Sequence, residues 1–212
     1  MRPHSYHVIF IGLLAAAAIG AGVWAILPAS SSPVAQPWPA FDMTYRKANH
    51  VNTATGETSY QTWQLSYDKE SSWEQRLIED TEYETRVGSV QSFDGSTYRA
   101  FNALDSSTFE NKSEDGALTA PGEWFVPRGR AWFEKQGYAA TDGVGNAYKK
   151  VERIDCPRDL IGSAAEVPCD ADGSVEADTA ITVDDHAIPL RVVDTVGGTA
   201  ITTFEASKFT VR

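Results

Sequence analysis

The chain has 212 residues and carries 18 Lys and Arg against 29 Asp and Glu, a formal net charge of −11. It has no Lys/Arg cluster, so it lacks the basic footprint that a phosphate backbone or an anionic lipid surface requires, which excludes nucleic acid and charge-driven lipid adhesion. Acidic charge scattered in this way keeps an exported domain soluble.

Val8 to Leu27 is a run of twenty consecutive uncharged residues, the length at which a helix crosses a bilayer core. Arg2 and two histidines precede it, and no charge follows until Asp42. The positive-inside bias therefore predicts a cytoplasmic amino terminus (residues 1–7), a single-pass signal anchor in the cell membrane (8–27) and an extracytoplasmic remainder. Trp24 sits near the outer end, where an aromatic belt residue belongs. A cleaved signal peptide is the competing reading, because Ala29-Ser30-Ser31 offers small residues, although signal cores usually run only about 7–15 residues. Residues 28–40 hold four of the ten prolines and no charge, the composition of a semi-rigid tether. Residues 41–212 then form one domain by size.

From Met43 onward the pattern is mostly period two. In Tyr60–Tyr67, Trp63, Leu65 and Tyr67 share one face, with Thr62, Gln64 and Ser66 opposite, which predicts a strand with one buried side. Trp73, Gln75 and Leu77 mark a second strand, joined to the first by the polar turn Asp68-Lys69-Glu70-Ser71. Thr85–Phe93 predicts a third strand, Asp94-Gly95 a tight turn and Ser96–Ala103 a fourth strand. Leu104 to Gly122 reads as a long polar loop. Arg128 to Gln136, ended by Gly137, predicts a short helix that carries Trp132 and Phe133. Tyr148–Ile154 is the next strand, followed by the segment between Cys156 and Cys169. Ala180–Val183, Pro189–Thr195 and Thr199–Ala206 are further strands, with turns at Asp184–Ala187 and Val196–Gly198, and Ser207–Arg212 closes the sheet. Sequential hairpins imply an antiparallel sheet or open barrel.

Cys156 and Cys169 lie outside the membrane in this topology, where disulfides persist. Their bond would close a small loop and stabilise it by roughly 3 kcal/mol in the chain-entropy model. There is no C-x-x-C pair to support thiol oxidoreductase chemistry. Asp184-Asp185-His186 could be an acid/base cluster, but its Asp content fits a solvated turn better. Asp170-Ala171-Asp172-Gly173 matches the middle of a calcium loop but fails at both ends, at Pro168 and Thr179. Zinc spacings, a P-loop, G-x-S-x-G and G-x-G-x-x-G are all missing. No cofactor, no metal and no enzymatic activity are therefore expected. Asn111-Lys112-Ser113 is a formal glycosylation sequon.

The first two-thirds of the domain are rich in aromatic residues. These residues form either an ordinary core or the lining of an apolar cavity. A hairpin with Trp73-x-Gln75 is followed by Gly88, by Phe93-Asp94-Gly95-Ser96-Thr97-Tyr98 and by an aromatic helical segment, and the chain ends with Ile188-Pro189-Leu190-Arg191 and the hairpin Ala200–Phe204. This order resembles the bacterial lipoprotein-carrier (LolA/LolB-like) superfamily, including its membrane-anchored relatives, over roughly residues 43 to 212. The resemblance implies a mainly β (α+β) fold, a curved antiparallel sheet or unclosed barrel covered by short helices, with a lipid-binding interior. The expected ligand-binding residues are Trp63, Leu65, Tyr67, Phe101, Trp132 and Phe133. The expected partner is a lipid, an acyl chain or a lipoprotein-type hydrophobic ligand. The alternative is an envelope sensor or protein-interaction module with the same fold, a filled core and an envelope protein as partner.

Overall fold

Apolar–polar alternation puts one face of a strand in the core and the other in water. The computed structural model describes residues 38–51, 57–68, 72–112, 120–125, 129–141, 143, 145–155 and 169–212. The strands are β1 (Phe41–Val51), β2 (Thr58–Tyr67), β3 (Trp73–Asp80), β4 (Val90–Phe93), β5 (Thr97–Asn102), β6 (Ser107–Lys112), β7 (Ala139–Ala140), β8 (Ala147–Asp155), β9 (Ser174–Val183), β10 (Pro189–Val196) and β11 (Thr199–Val211). One helix, α1 (Arg130–Lys135), and 3₁₀ turns at Glu84–Arg86 and Glu123–Phe125 complete the described elements.

All eleven strands join one antiparallel sheet in the order β6-β5-β4-β3-β2-β1-β11-β10-β9-β8-β7. Its edge strands β6 and β7 are not paired to each other, so the sheet curves without closing into a barrel. Bulges help bend it, with an extra residue at Ser207 and Thr203 in β11 and at Ile78 in β3, because an extra residue on one strand increases local twist. Strands β1 and β11 come from opposite ends of the domain and form the central seam.

Several expectations are corrected. The strand expected over Thr85–Phe93 is only Val90–Phe93, preceded by the 3₁₀ turn and by Gly88 at φ 96°. The loop expected over Leu104–Gly122 contains β6. All six β6 residues are exposed, so it has no apolar alternation to read. Phe41–Val51 is a full central strand. Trp38 and Ala40, placed in the tether by composition, are buried in the domain. The turn expected to be solvated is only partly so: Asp185 and His186 are exposed, but Ala187 is buried and the mostly covered Asp184 carboxylate accepts from the His186 and Ile188 amides.

The anchor Val8–Leu27 and residues 28–37 lie outside the described residues, as does Cys156. Cys169 is not a free thiol. Among the described residues no helix is long and apolar enough to cross a membrane.

The core lies on one face of the sheet, here termed the covered face, and α1 and the Glu123–Phe125 turn cap it. Register builds it in rows. Phe41, Tyr67, Trp73, Phe93 and Tyr98 stand opposite one another across five consecutive strands. In the carboxy-terminal half, Tyr148, Ile181, Val192 and Phe204 form the matching row.

Candidate functional site: the covered face of the sheet

Four of the six expected ligand-binding residues, Trp63, Leu65, Tyr67 and Phe133, lie together in the core of the covered face, each no more than 4% exposed. Trp132 packs partly buried against the same cluster. Phe101 does not join them. Tyr98 stands opposite Phe93 on the covered face, so Phe101, three residues on, falls on the other face of the pleat, where it is 39% exposed.

Two short segments cap the face with aromatic rings. Phe125 meets Tyr45 and Phe204, with ring centroids 5.1 and 5.5 Å apart. Phe133 stacks on Tyr148 at 4.6 Å and meets Trp132 edge-on at 5.3 Å. Helix α1 spans six residues and has no side-chain N-cap, too short to be stable alone. It is therefore held by these ring contacts and by Arg130, which donates to Asn146 Oδ1 at 2.9 Å, and Gly137 at φ 85° ends it.

A polar thread runs through the apolar face. Tyr45 donates its hydroxyl to Gln75 Oε1 at 2.6 Å, and Gln75 Nε2 donates to Gln91 Oε1 and to the carbonyl of Pro121. The Pro121 bond ties the first cap to the sheet. Nearby, Trp63 Nε1 donates to Gln61 Oε1, and Gln61 Nε2 donates to Asp80 Oδ2. Among the described residues every buried side-chain nitrogen and oxygen has a partner, as a well-ordered core requires. Sequence reasoning placed Gln75 beside Trp73 and Leu77 and counted Phe125 among the core or cavity aromatics, but missed Tyr45, Tyr148 and Phe204 as parts of this face. Only the Phe41-x-Met43-x-Tyr45 alternation could have indicated the first.

Burial sets the electrostatics. It pushes the Tyr45 hydroxyl far above the ordinary tyrosine pKa, so Tyr45 acts only as a neutral donor. Burial also raises the Asp194 carboxyl, opposed by the Thr179 hydroxyl that donates to it at 2.7 Å. The exposed Asp94 carboxyl is held well below the usual range, first by Arg99, then by the Thr97 amide and the Ser96 hydroxyl. Among the described residues no group of three His, Cys, Asp or Glu is placed to hold a metal ion. A groove of about 430 Å³ opens on the other face, and one of about 690 Å³ lies at the end of β3 beside the Glu84–Arg86 turn. Asp42, Gln64 and Arg76 line the first, and Ile78, Glu79 and Val87 the second.

No family model matches the sequence, and no curated protein matches it. Solved structures do. The fold is similar to that of a LolA superfamily protein from Nitrosomonas europaea. That likeness has a TM-score of 0.34 at 8% identity and covers 84% of this chain and 87% of the other. An uncharacterized conserved protein from Thermus thermophilus is similar with a TM-score of 0.40 at 7% identity, over 82% of this chain and 79% of that one.

Proposed function

We propose that the chain is a membrane-tethered extracytoplasmic binding protein, not an enzyme, whose covered face takes an acyl chain or similar lipid when its aromatic caps lift. In this reading Val8–Leu27 anchors the protein and a Cys156–Cys169 disulfide staples one loop. The supporting observation is the cap itself: Phe125 and Phe133 meet the sheet through ring contacts, and few hydrogen bonds join them, among them Gln75 to the Pro121 carbonyl and Arg130 to Asn146. Releasing two phenylalanines costs about 3–6 kcal/mol, at about 1.5–3 kcal/mol for each buried side chain. An acyl chain regains about 0.8 kcal/mol per buried CH₂, so about eight methylenes offset that cost.

The test is native mass spectrometry of the purified protein before and after incubation with palmitate and with phosphatidylethanolamine. A one-to-one adduct is expected, and it should be lost in Trp63→Arg and Leu65→Arg variants that keep their far-UV circular dichroism. A parent protein that neither carries nor loads lipid would overturn the reading.

A specific observation favours the second reading, an envelope interaction module. The described interior gathers its aromatic and aliphatic side chains into one buried cluster, with every buried polar side chain satisfied. Crosslinking in cells that captures an envelope protein on the parent chain, with no co-purifying lipid, would select it.

A further inference from the structure

Exposed apolar side chains are normally scattered singly over a surface. In this chain five of the eight large ones among the described residues fall between positions 78 and 104: Ile78, Tyr83, Val87, Phe101 and Leu104. The fold brings two of them, Ile78 and Val87, to one place. Val90 stands opposite Phe101. The Gly88 amide donates to the Leu77 carbonyl, and the Ala103 amide donates to Ser89 Oγ. Ile78 and Val87 line one groove of about 690 Å³, within the range of roughly 300–1,000 Å³ that holds a small ligand or several side chains. The groove lies outside the aromatic core of the covered face.

Its walls are negative. Glu79, Glu82 and Glu84 line it, with no lysine or arginine among its lining residues. Arg86 is the one cation between positions 79 and 87, and it stacks over the Tyr83 ring at 4.1 Å. The walls are also built firmly. Asp80 accepts the Glu82 and Tyr83 amides and Gln61 Nε2, while Thr62 donates to Glu79 and Ser59 donates to Glu82. Two exposed aliphatic side chains, Ile78 and Val87, set among carboxylates complement one kind of surface, aliphatic side chains flanked by lysines or arginines. An anionic lipid surface would be repelled by the same carboxylates.

We propose that this groove docks a basic amphipathic segment of a partner protein. Its aliphatic side chains insert between Ile78 and Val87, and its cations face Glu79, Glu82 and Glu84. The site is independent of lipid binding on the covered face, so either proposal can fail alone.

The test uses the full chain in nanodiscs and a labelled 18-residue Leu/Lys peptide with helical periodicity, read by fluorescence anisotropy at physiological salt. Saturable binding is expected. It should weaken about tenfold or more in Ile78→Ser/Val87→Ser and in Glu82→Gln/Glu84→Gln, as hot-spot positions do. A distal pair, Glu134→Gln/Asp185→Asn, removes the same charge and should change binding less than about twofold, because salt screens remote charges. Equal loss in the distal pair would reduce the effect to net charge and overturn the proposal. So would no binding by the parent. Competition by zwitterionic vesicles that depends on Ile78 and Val87 would instead make the strip a membrane contact, and would also overturn it. Thermal melts of each variant separate loss of binding from loss of fold.

Discussion

Gln75 shows how much one buried polar residue can carry. It is 1% exposed, accepts from Tyr45 and holds the Pro121 carbonyl of the cap. Replacing it by Leu leaves the Tyr45 hydroxyl without its acceptor, which should cost about 1–3 kcal/mol beyond the lost bonds. Adding Tyr45→Phe should recover much of that loss, and urea unfolding of the four chains in a double-mutant cycle checks it. Asp194 works in the opposite sense. Burial raises its pKa, so the folded state takes up its proton more readily than the unfolded chain. Its contribution to stability is therefore favourable only below the unfolded carboxylate value of about 3.9, and is lost as pH rises through the folded value. Asp194→Asn should therefore raise the melting temperature at pH 7, and the gain should vanish near pH 3. A gain that is constant across that range would show that charge burial is not the cause. The sequence showed Trp63, Leu65 and Tyr67 sharing a face because strand alternation needs no partner to be read. Phe101 was misplaced because its face is fixed by its pairing with Val90, which only the ladder reveals.

Elements became legible in proportion to how much apolar surface they bury. Strands β2 and β3 alternate over most of their length and match expectation within a few residues, as β10 does without clean alternation. β6 buries nothing, and so its sequence resembles a loop. Its stability comes from pairing with β5 alone. Amide hydrogen exchange should therefore find β6 the least protected of the long strands and β1, β2 and β11 close to the global limit. Helix α1 was read from Gly137 and its aromatic pair, but what keeps it helical is tertiary. Phe133 is 2% exposed and stacks on Tyr148. Phe133→Ala should cost about 3–5 kcal/mol. It should also release the helix, so that Lys135 and Gln136 become sites of limited proteolysis while the sheet remains intact.

At the scale of the whole molecule, the seam between β1 and β11 decides whether eleven strands behave as one. Without it the sheet separates into β1–β6 and β7–β11, because no other pairing links the two groups. Hairpins were readable from local turns, but a pairing between the two ends of the domain was not, since it leaves no local signal and its closure entropy is large. The last six residues strengthen the seam. Phe209 packs 5.7 Å from Phe41, Arg212 pairs with Asp42, and its guanidinium donates to the Tyr67 carbonyl. Deleting residues 207–212 removes the partners of Phe41 to Thr44 and leaves the pairing of Tyr45 to Lys47 with β11. The tryptophans offer a selective probe, because all six precede residue 133. Once Trp24 is replaced by Phe in both chains, fluorescence follows the amino-terminal half and the caps, whereas far-UV circular dichroism follows every strand. In the parent, urea transitions by the two probes should coincide, as cooperative unfolding requires. In the truncated chain they should separate. Coincident transitions after truncation would show that the Tyr45–Lys47 pairs and the shared core on the covered face suffice to couple the halves.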